Sequence, residues 1–292
     1  MRYTPQLYGI SHLDQPMTLV LSYRSPGPVP VEIEGVTPQA LRGETLDEIR
    51  RRQIFQGNRK VALGDFFAVS GDSADESLRL EGELSGVHWV GAKMQRGQIY
   101  IDGDVGRHVG SEMTGGRIEV AGNAGDWLGG EMHGGRIRVR GRAGHLTGAA
   151  YRGSSRGMTG GTILVAGDVG NEIGHTMRRG LLVVGGNVGD LAAFNMLAGT
   201  ILICGEGGIR HAAGMKRGTL AFLGQWAPEL LPTFRFACRY QPTVLTVLLR
   251  ELRLQGFPVG DDLLSTQFDL YNGDLIEGGR GEILIRADDS FV

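Results

Sequence analysis

Histidine, cysteine and carboxylate side chains are the groups with which a chain can hold a metal, attack a carbonyl or move a proton, and their spacing decides which of these is open to it. Seven histidines and two cysteines, Cys204 and Cys238, are present. No CxxC, HxxxH or HExxH occurs, so no metal-ligand set is indicated. Two thiols are too few for a disulfide framework, and a reducing compartment is the simple reading. The tetrapeptides GDVG, GNAG, GRAG, GDVG, GNVG and GEGG look like phosphate-cradling loops, but such a loop occurs once, between a strand and a helix, whereas these recur with no helix following. Arg178, Arg179, Lys216 and Arg217 form two basic pairs at equivalent places in the repeat described below, and are candidates to receive an anionic ligand or a partner's carboxylates. No catalytic residue is assigned from the residues alone.

What positions these side chains is an internal repeat. Gly103, Gly122, Gly141, Gly167, Gly186, Gly205 and Gly224 are equivalent, every step being 19 residues except one of 26, where AAYRGSSRG (149–157) carries a seven-residue insertion. A further coil fits before Gly103, from near Leu84. The tenth residue of each unit is Met94, Met113, Met132, Met158, Met177, Met196 or Met215, so seven of the nine methionines share one column. A flexible thioether fills irregular interior space, and the column is expected to be an inward-facing stack. Ligation of a soft metal would need a compact cluster with thiolate or imidazole help, which a ladder does not give.

After each methionine comes a short strand: IYI (99–101), IEV (118–120), IRV (137–139), ILV (163–165), LVV (182–184), ILI (201–203) and LAF (220–222). First and third residues are apolar throughout and share one face of a period-two strand. The pattern predicts a mainly β protein, a right-handed parallel β-helix of about seven glycine-rich coils, with glycine at the corners. The outward middle residues are Tyr100, Glu119, Arg138, Leu164, Val183, Leu202 and Ala221. The last four form an apolar stripe that must be covered, and a helix within 241–260, with Val244, Leu245, Leu248, Leu249 and Leu252 apolar, is the expected cover. Glu119 is the one acid among these outward residues, so the carboxylate pair of a polysaccharide-cleaving β-helix is not evident. The column Asp104, Asn123, Arg142, Asp168, Asn187 and Glu206 reads as a solvated corner, and the histidines as surface or turn residues. In the N-terminal part, 17–24 and 31–36 read as strands, TLDEIRRRQIF (45–55) as a helix opened by a capping box, and 61–71 as an irregular first turn of the solenoid. The expected organisation is a cap at 1–60, a β-helix at 61–224, and a helix and tail at 225–292 packed on the rod.

The 30 basic and 32 acidic side chains give a formal charge of −2, which offers no general attraction to nucleic acid or an anionic membrane. No apolar run approaches the roughly 20 residues of a membrane span, and MRYTPQLYGISHLDQ lacks a secretory pattern, so a cytoplasmic location is expected. Lysine occurs only at Lys60, Lys93 and Lys216, against 27 arginines, a bias that fits a GC-rich genome.

The GxxGxxxG coils, the GN-then-LGDFFAVSG entry at 57–71 and the tail YNGDLIEGGRGEILI (271–285) resemble the C subunit of formylmethanofuran dehydrogenase, a family whose fold is similar to the C-terminal β-helix of the glutamate synthase large subunit. The resemblance covers nearly the whole chain. It implies membership of a multisubunit one-carbon complex. In methylotrophic bacteria such a formyltransferase/hydrolase complex moves a formyl group from formyl-tetrahydromethanopterin to a methanofuran analogue and releases formate; in methanogens a molybdenum or tungsten dehydrogenase reduces carbon dioxide onto methanofuran. Chemistry is assigned to other subunits, amidohydrolase-like, formyltransferase and molybdopterin-enzyme-like, and this one is regarded as a scaffold. The resemblance thus implies no cofactor bound by this chain, the methanofuran analogue and metals belonging to its partners. The arginine bias favours the bacterial complex. A stand-alone carbohydrate-active β-helix is the alternative from a different class.

Overall fold

The computed structural model describes residues 18–24 and 27–287; the stretch inspected for a secretory signal lies outside the described residues. The described residues begin with β1 (Leu19–Tyr23) and β2 (Val31–Glu32), then α1 (Pro38–Leu41), α2 (Leu46–Arg51), β3 (Gln53–Gln56) and β4 (Arg59–Ala62). The capping box is present: the Thr45 side chain accepts from the Glu48 N–H, and the Glu48 carboxylate accepts from the Thr45 N–H at 2.8 Å. The helix nevertheless stops at Arg51, short of the expected 55. The cause lies downstream, where Gln56 pairs with Arg59 across the two-residue loop Gly57–Asn58 and draws 53–56 into a hairpin.

Next come β5 (Phe67–Ser70), β6 (Ser77–Glu81), β7 (Val87–His88) and β8 (Gln98–Ile101), then β9 (Arg117–Val120), β10 (Arg136–Val139), β11 (Thr162–Val165), β12 (Leu181–Val184), β13 (Thr200–Ile203) and β14 (Gly218–Phe222). The chain ends with β15 (Arg235–Tyr240), α3 (Thr243–Leu254), β16 (Phe268–Gly273) and β17 (Gly281–Arg286). One mostly parallel sheet of 13 strands dominates, in the order β15-β16-β17-β14-β13-β12-β11-β10-β9-β8-β6-β1-β5. Repeat equivalence becomes register: Ile99, Ile118, Ile137, Ile163, Leu182, Ile201 and Leu220 are consecutive partners. A second parallel ladder of single bridges links Leu84, Val105, Ala124, Ala143, Val169, Val188 and Gly207 on another side of the coil. The architecture is therefore β-helix-like, each coil covering the apolar interior of the next.

The 61–71 segment is not a solenoid turn. Its β5 runs antiparallel to β1, with Leu21 opposite Val69, and so forms one edge of the sheet, while β2, β3, β4 and β7 make a separate four-stranded sheet. At the other end β17 adds a parallel rung to β14, and β16 and β15 follow antiparallel. The apolar stripe Leu164, Val183, Leu202 and Ala221 is buried under α3 through Leu245, Leu249 and Leu252, together with Phe257, Phe268 and Leu284. Val244 faces away from this contact and is 74% exposed.

Glycine serves these coils in two ways. Gly116, at φ +86°, makes a left-handed corner that L side chains avoid. Gly122, which begins its coil, has ordinary φ, but a Cβ there would run into the Asp104 carboxylate and the Gly103 backbone of the preceding coil. Other left-handed corners are made without glycine, at Trp89, His108, Trp127, Leu146, Glu172, Leu191 and Arg210 in one column and at Lys93, Glu112, Glu131, Thr176 and Asn195 in another.

Candidate functional site

Each column predicted from the sequence has a definite place. Met94, Met113, Met132, Met158, Met177, Met196 and Met215 are fully buried. Their neighbours explain the coupling of methionine to glycine: a Cβ on Gly135 would lie 2.7 Å from Met113 Cε, and one on Gly161 would lie 2.7 Å from Met132 Cε. From Met94 to Met196 the methyl end of the thioether thus fills the space that a side chain at the next coil's corner would need.

The polar columns form ladders between coils. Asp104 Oδ1 accepts from the Asn123 N–H at 2.7 Å, Asn123 Oδ1 from Arg142, Asp168 Oδ1 from Asn187 and Asn187 Oδ1 from Glu206. A second ladder missed in the sequence runs from Asp126 to the His145 N–H, from His145 Nδ1 to the Asn171 N–H and from Asn171 to Asp190. His88 takes the same kind of bond from the Arg107 N–H at 3.1 Å. His88 and His211 are buried, not surface residues, and burial lowers both of their pKa values. The reason is that Nδ1 can replace a carbonyl as acceptor where the coil turns.

The insertion at 149–157 is held by an aromatic column. Trp89, His108 and Trp127 occupy equivalent positions in successive coils; the Trp89 and His108 rings stack at 4.2 Å and those of His108 and Trp127 at 5.5 Å. Tyr151 lies alongside, 6.1 Å from Trp89 and 5.9 Å from Trp127. Its hydroxyl meets His108 Nδ1 at 2.9 Å and Ser111 Oγ at 2.7 Å, and its N–H donates to Glu131 Oε1 at 2.9 Å. Burial pushes the Tyr151 hydroxyl up to about 12 and His108 down to about 4, the nearby Arg107 charge adding to the latter. Both are therefore neutral near pH 7, and the pair acts as an anchor with no proton to exchange.

Beyond this anchor the insertion forms one wall of an open depression of about 560 Å³, lined by Glu131, His133, Ser154, Ser155, Arg156, Thr159, Arg178 and Arg179. The structure therefore brings Arg178 and Arg179 together with Arg156. It does not bring in Lys216, which pairs with Glu277 at 3.7 Å, nor Arg217. The Tyr151–Arg156 insertion is, with the outward face near Tyr100, Glu119 and Arg138, one of two docking surfaces the sequence suggests, but the sequence does not foresee its joining to Arg178 and Arg179, since that depends on how the insertion folds back.

No family model matches the sequence. The C subunit of the molybdenum-containing formylmethanofuran dehydrogenase 1 of Methanothermobacter wolfeii is 42% identical over 91 residues, 31% of this chain and 23% of that protein. The C subunit of the formyltransferase/hydrolase complex of Methylorubrum extorquens is 36% identical over 89 residues, 30% of this chain and 33% of that protein. A chain of the crystal structure of that complex, solved with methylofuran, superposes with a TM-score of 0.84 at 33% identity, covering 92% of this chain and 100% of that one. The chain belongs to the family of formylmethanofuran dehydrogenase C subunits.

The sequence match with the two relatives spans only about a quarter to a third of their own length. The structural likeness runs the whole length of the neighbour. In this C-type family member the outward sheet face bears a second depression, of about 540 Å³, lined among others by Arg79, Gln98, Tyr100, Asp102, Glu119 and Arg140. Its charges are largely paired: Arg79 with Asp102 at 2.7 Å and Arg117 with Glu119 at 2.6 Å. Arg138, which with Tyr100 and Glu119 suits water or a polar partner, donates to the Gln255 carbonyl at 3.0 Å and the Gly256 carbonyl at 2.7 Å, fastening the end of α3.

Proposed function

We propose that this chain is the structural, non-catalytic subunit of a complex that transfers a formyl group from formyl-tetrahydromethanopterin to a methanofuran analogue and hydrolyses it to formate. The observation that carries this reading is the 0.84 superposition on a chain of the formyltransferase/hydrolase complex, complete over that chain. The companions are amidohydrolase-like, formyltransferase and molybdopterin-enzyme-like subunits, and the methanofuran analogue and metals reside on them. The complex works in the cytoplasm; no described helix is long and apolar enough to cross a membrane.

In this reading seven coils wind right-handedly into a rod, with 1–60 as its cap, 61–224 as its body and 225–292 as helix and tail. The general handedness of parallel strand crossovers supports the winding. The rod's contribution is geometric: backbone ladders and a packed methionine seam resist bending, so subunits seated on it keep a constant arrangement. A second reading, the equivalent subunit of a molybdenum or tungsten formylmethanofuran dehydrogenase, is favoured by the 42% identity with the Methanothermobacter wolfeii protein, though over a shorter stretch.

Purification of the chain under mild conditions from its source, native mass spectrometry of what accompanies it, and assay of the assembly decide the matter. Formyl transfer with formate release by an assembly containing this chain is expected. Reduction of carbon dioxide onto methanofuran would select the dehydrogenase, and a solitary chain cleaving polysaccharide would overturn both readings.

A further inference from the structure

We propose that the depression walled by Arg156, Arg178 and Arg179 is a docking site for an acidic segment of a companion polypeptide, an inference that rests on the subunit reading above. The first argument is electrostatic. In a chain of net charge −2, three guanidinium groups converge on one depression, and among the described residues none of the three makes an ion pair. Some cations elsewhere on the coils are neutralised, Lys93 by Glu34 at 2.8 Å, Arg96 by Glu76 at 2.8 Å and Lys216 by Glu277 at 3.7 Å; what distinguishes these three arginines is that they share one depression. The one acid lining the depression, Glu131, already accepts the Tyr151 N–H. Like charges held together repel, and an arriving carboxylate relieves that repulsion while gaining charge-assisted hydrogen bonds.

The second argument is construction. The opposing walls are fixed to each other: the Gly157 N–H donates to the Thr176 carbonyl at 3.0 Å and the Ala150 N–H to the His175 carbonyl at 3.2 Å, so the loop bearing Arg156 cannot drift from the coil bearing Arg178. Tyr151 locks the loop's other end to His108 and Ser111. A preformed site loses little entropy when it binds.

The third argument selects the occupant. The three arginines and Ser154 and Ser155 are exposed, and the depression is open along its length. A small anion there would keep most of its hydration, whereas an extended chain carrying carboxylates at intervals reaches both walls at once and gains from multiple attachment.

The test uses the full chain and a fluorescein-labelled ten-residue peptide of alternating aspartate and glycine, with citrate and inorganic phosphate as small-anion probes. Fluorescence anisotropy is expected to show binding that weakens with salt. The triple variant Arg156→Gln, Arg178→Gln, Arg179→Gln, checked for an unchanged circular dichroism spectrum, should lose at least tenfold in affinity, and Arg217→Gln less than twofold. Equal binding by the triple variant, or citrate or phosphate binding more tightly than the peptide at this site, overturns the proposal. In the complex purified from its source, the charge-reversed variant Arg156→Glu, Arg178→Glu, Arg179→Glu should release a companion polypeptide that the wild-type chain retains; retention of every companion overturns the docking role while leaving the subunit reading intact. A wild-type chain that binds the peptide yet purifies alone sinks the subunit reading, and the docking role with it.

Discussion

Tyr151 engages two acceptor-capable side chains with a single hydroxyl, and its ring lies against two tryptophans. Tyr151→Phe keeps the ring, removes the partner of His108 Nδ1 and leaves the fully buried Ser111 only its long 3.5 Å bond to the Trp127 carbonyl, so a loss of about 1–3 kcal/mol in denaturant unfolding is expected. His108 sets a pH dependence. Burial holds it near 4 in the folded chain against 6.5 when exposed, so the unfolded chain takes up the proton first as pH falls. The stability it contributes is complete above about pH 6.5 and is lost progressively as pH drops toward 4. Tm should therefore fall across that window, and His108→Gln should flatten part of the fall; an unchanged slope would remove His108 as a cause. The anchor was hidden in the sequence because an insertion interrupts the period and reads as a loop. The recurrence of Trp89, His108 and Trp127 at 19-residue spacing was nonetheless a visible signal, obscured because later members of the column are not aromatic.

Among the elements, α3 was the most legible. Leu164, Val183, Leu202 and Ala221 face outward where water cannot be their neighbour, and one amphipathic segment remained to cover them. Leu249, 1% exposed and seated on that stripe, should cost about 2–5 kcal/mol when cut to alanine, while Val244→Ala on the exposed side should change stability by less than about 0.5 kcal/mol, both read by chemical denaturation. The short helix α2 was legible at its start and not at its end. A capping box is local chemistry, whereas the stop at Arg51 depends on a hairpin whose pairing decides the conformation of 53–56. The edge role of β5 was likewise beyond reach, since antiparallel pairing with β1 is a choice between distant segments that alternation alone does not specify.

At the scale of the whole molecule the repeat is a rule of phase. Removing residues 103–121, one full period, should leave every later side chain in its column and give a chain that still folds, with reduced stability, by circular dichroism and thermal melting. Removing 103–120 leaves one surplus residue that the joined coil must bulge out at a corner, as the 149–157 insertion is, and should give a less stable chain than the 19-residue deletion. Equal behaviour of the two deletions would contradict the column argument.

Among the described residues the sheet order begins and ends on antiparallel strands. β5 and β15 stand at the two edges, each antiparallel to its neighbour, and β15 carries Arg235 and Arg239, charges that discourage another copy from pairing along that edge. Among the described residues the sheet holds 13 strands, whose 12 spacings of roughly 4.8 Å make a gauge on the order of 58 Å long. Molecules seated at opposite tips of such a gauge meet at a distance set by counting strands, independent of any tether.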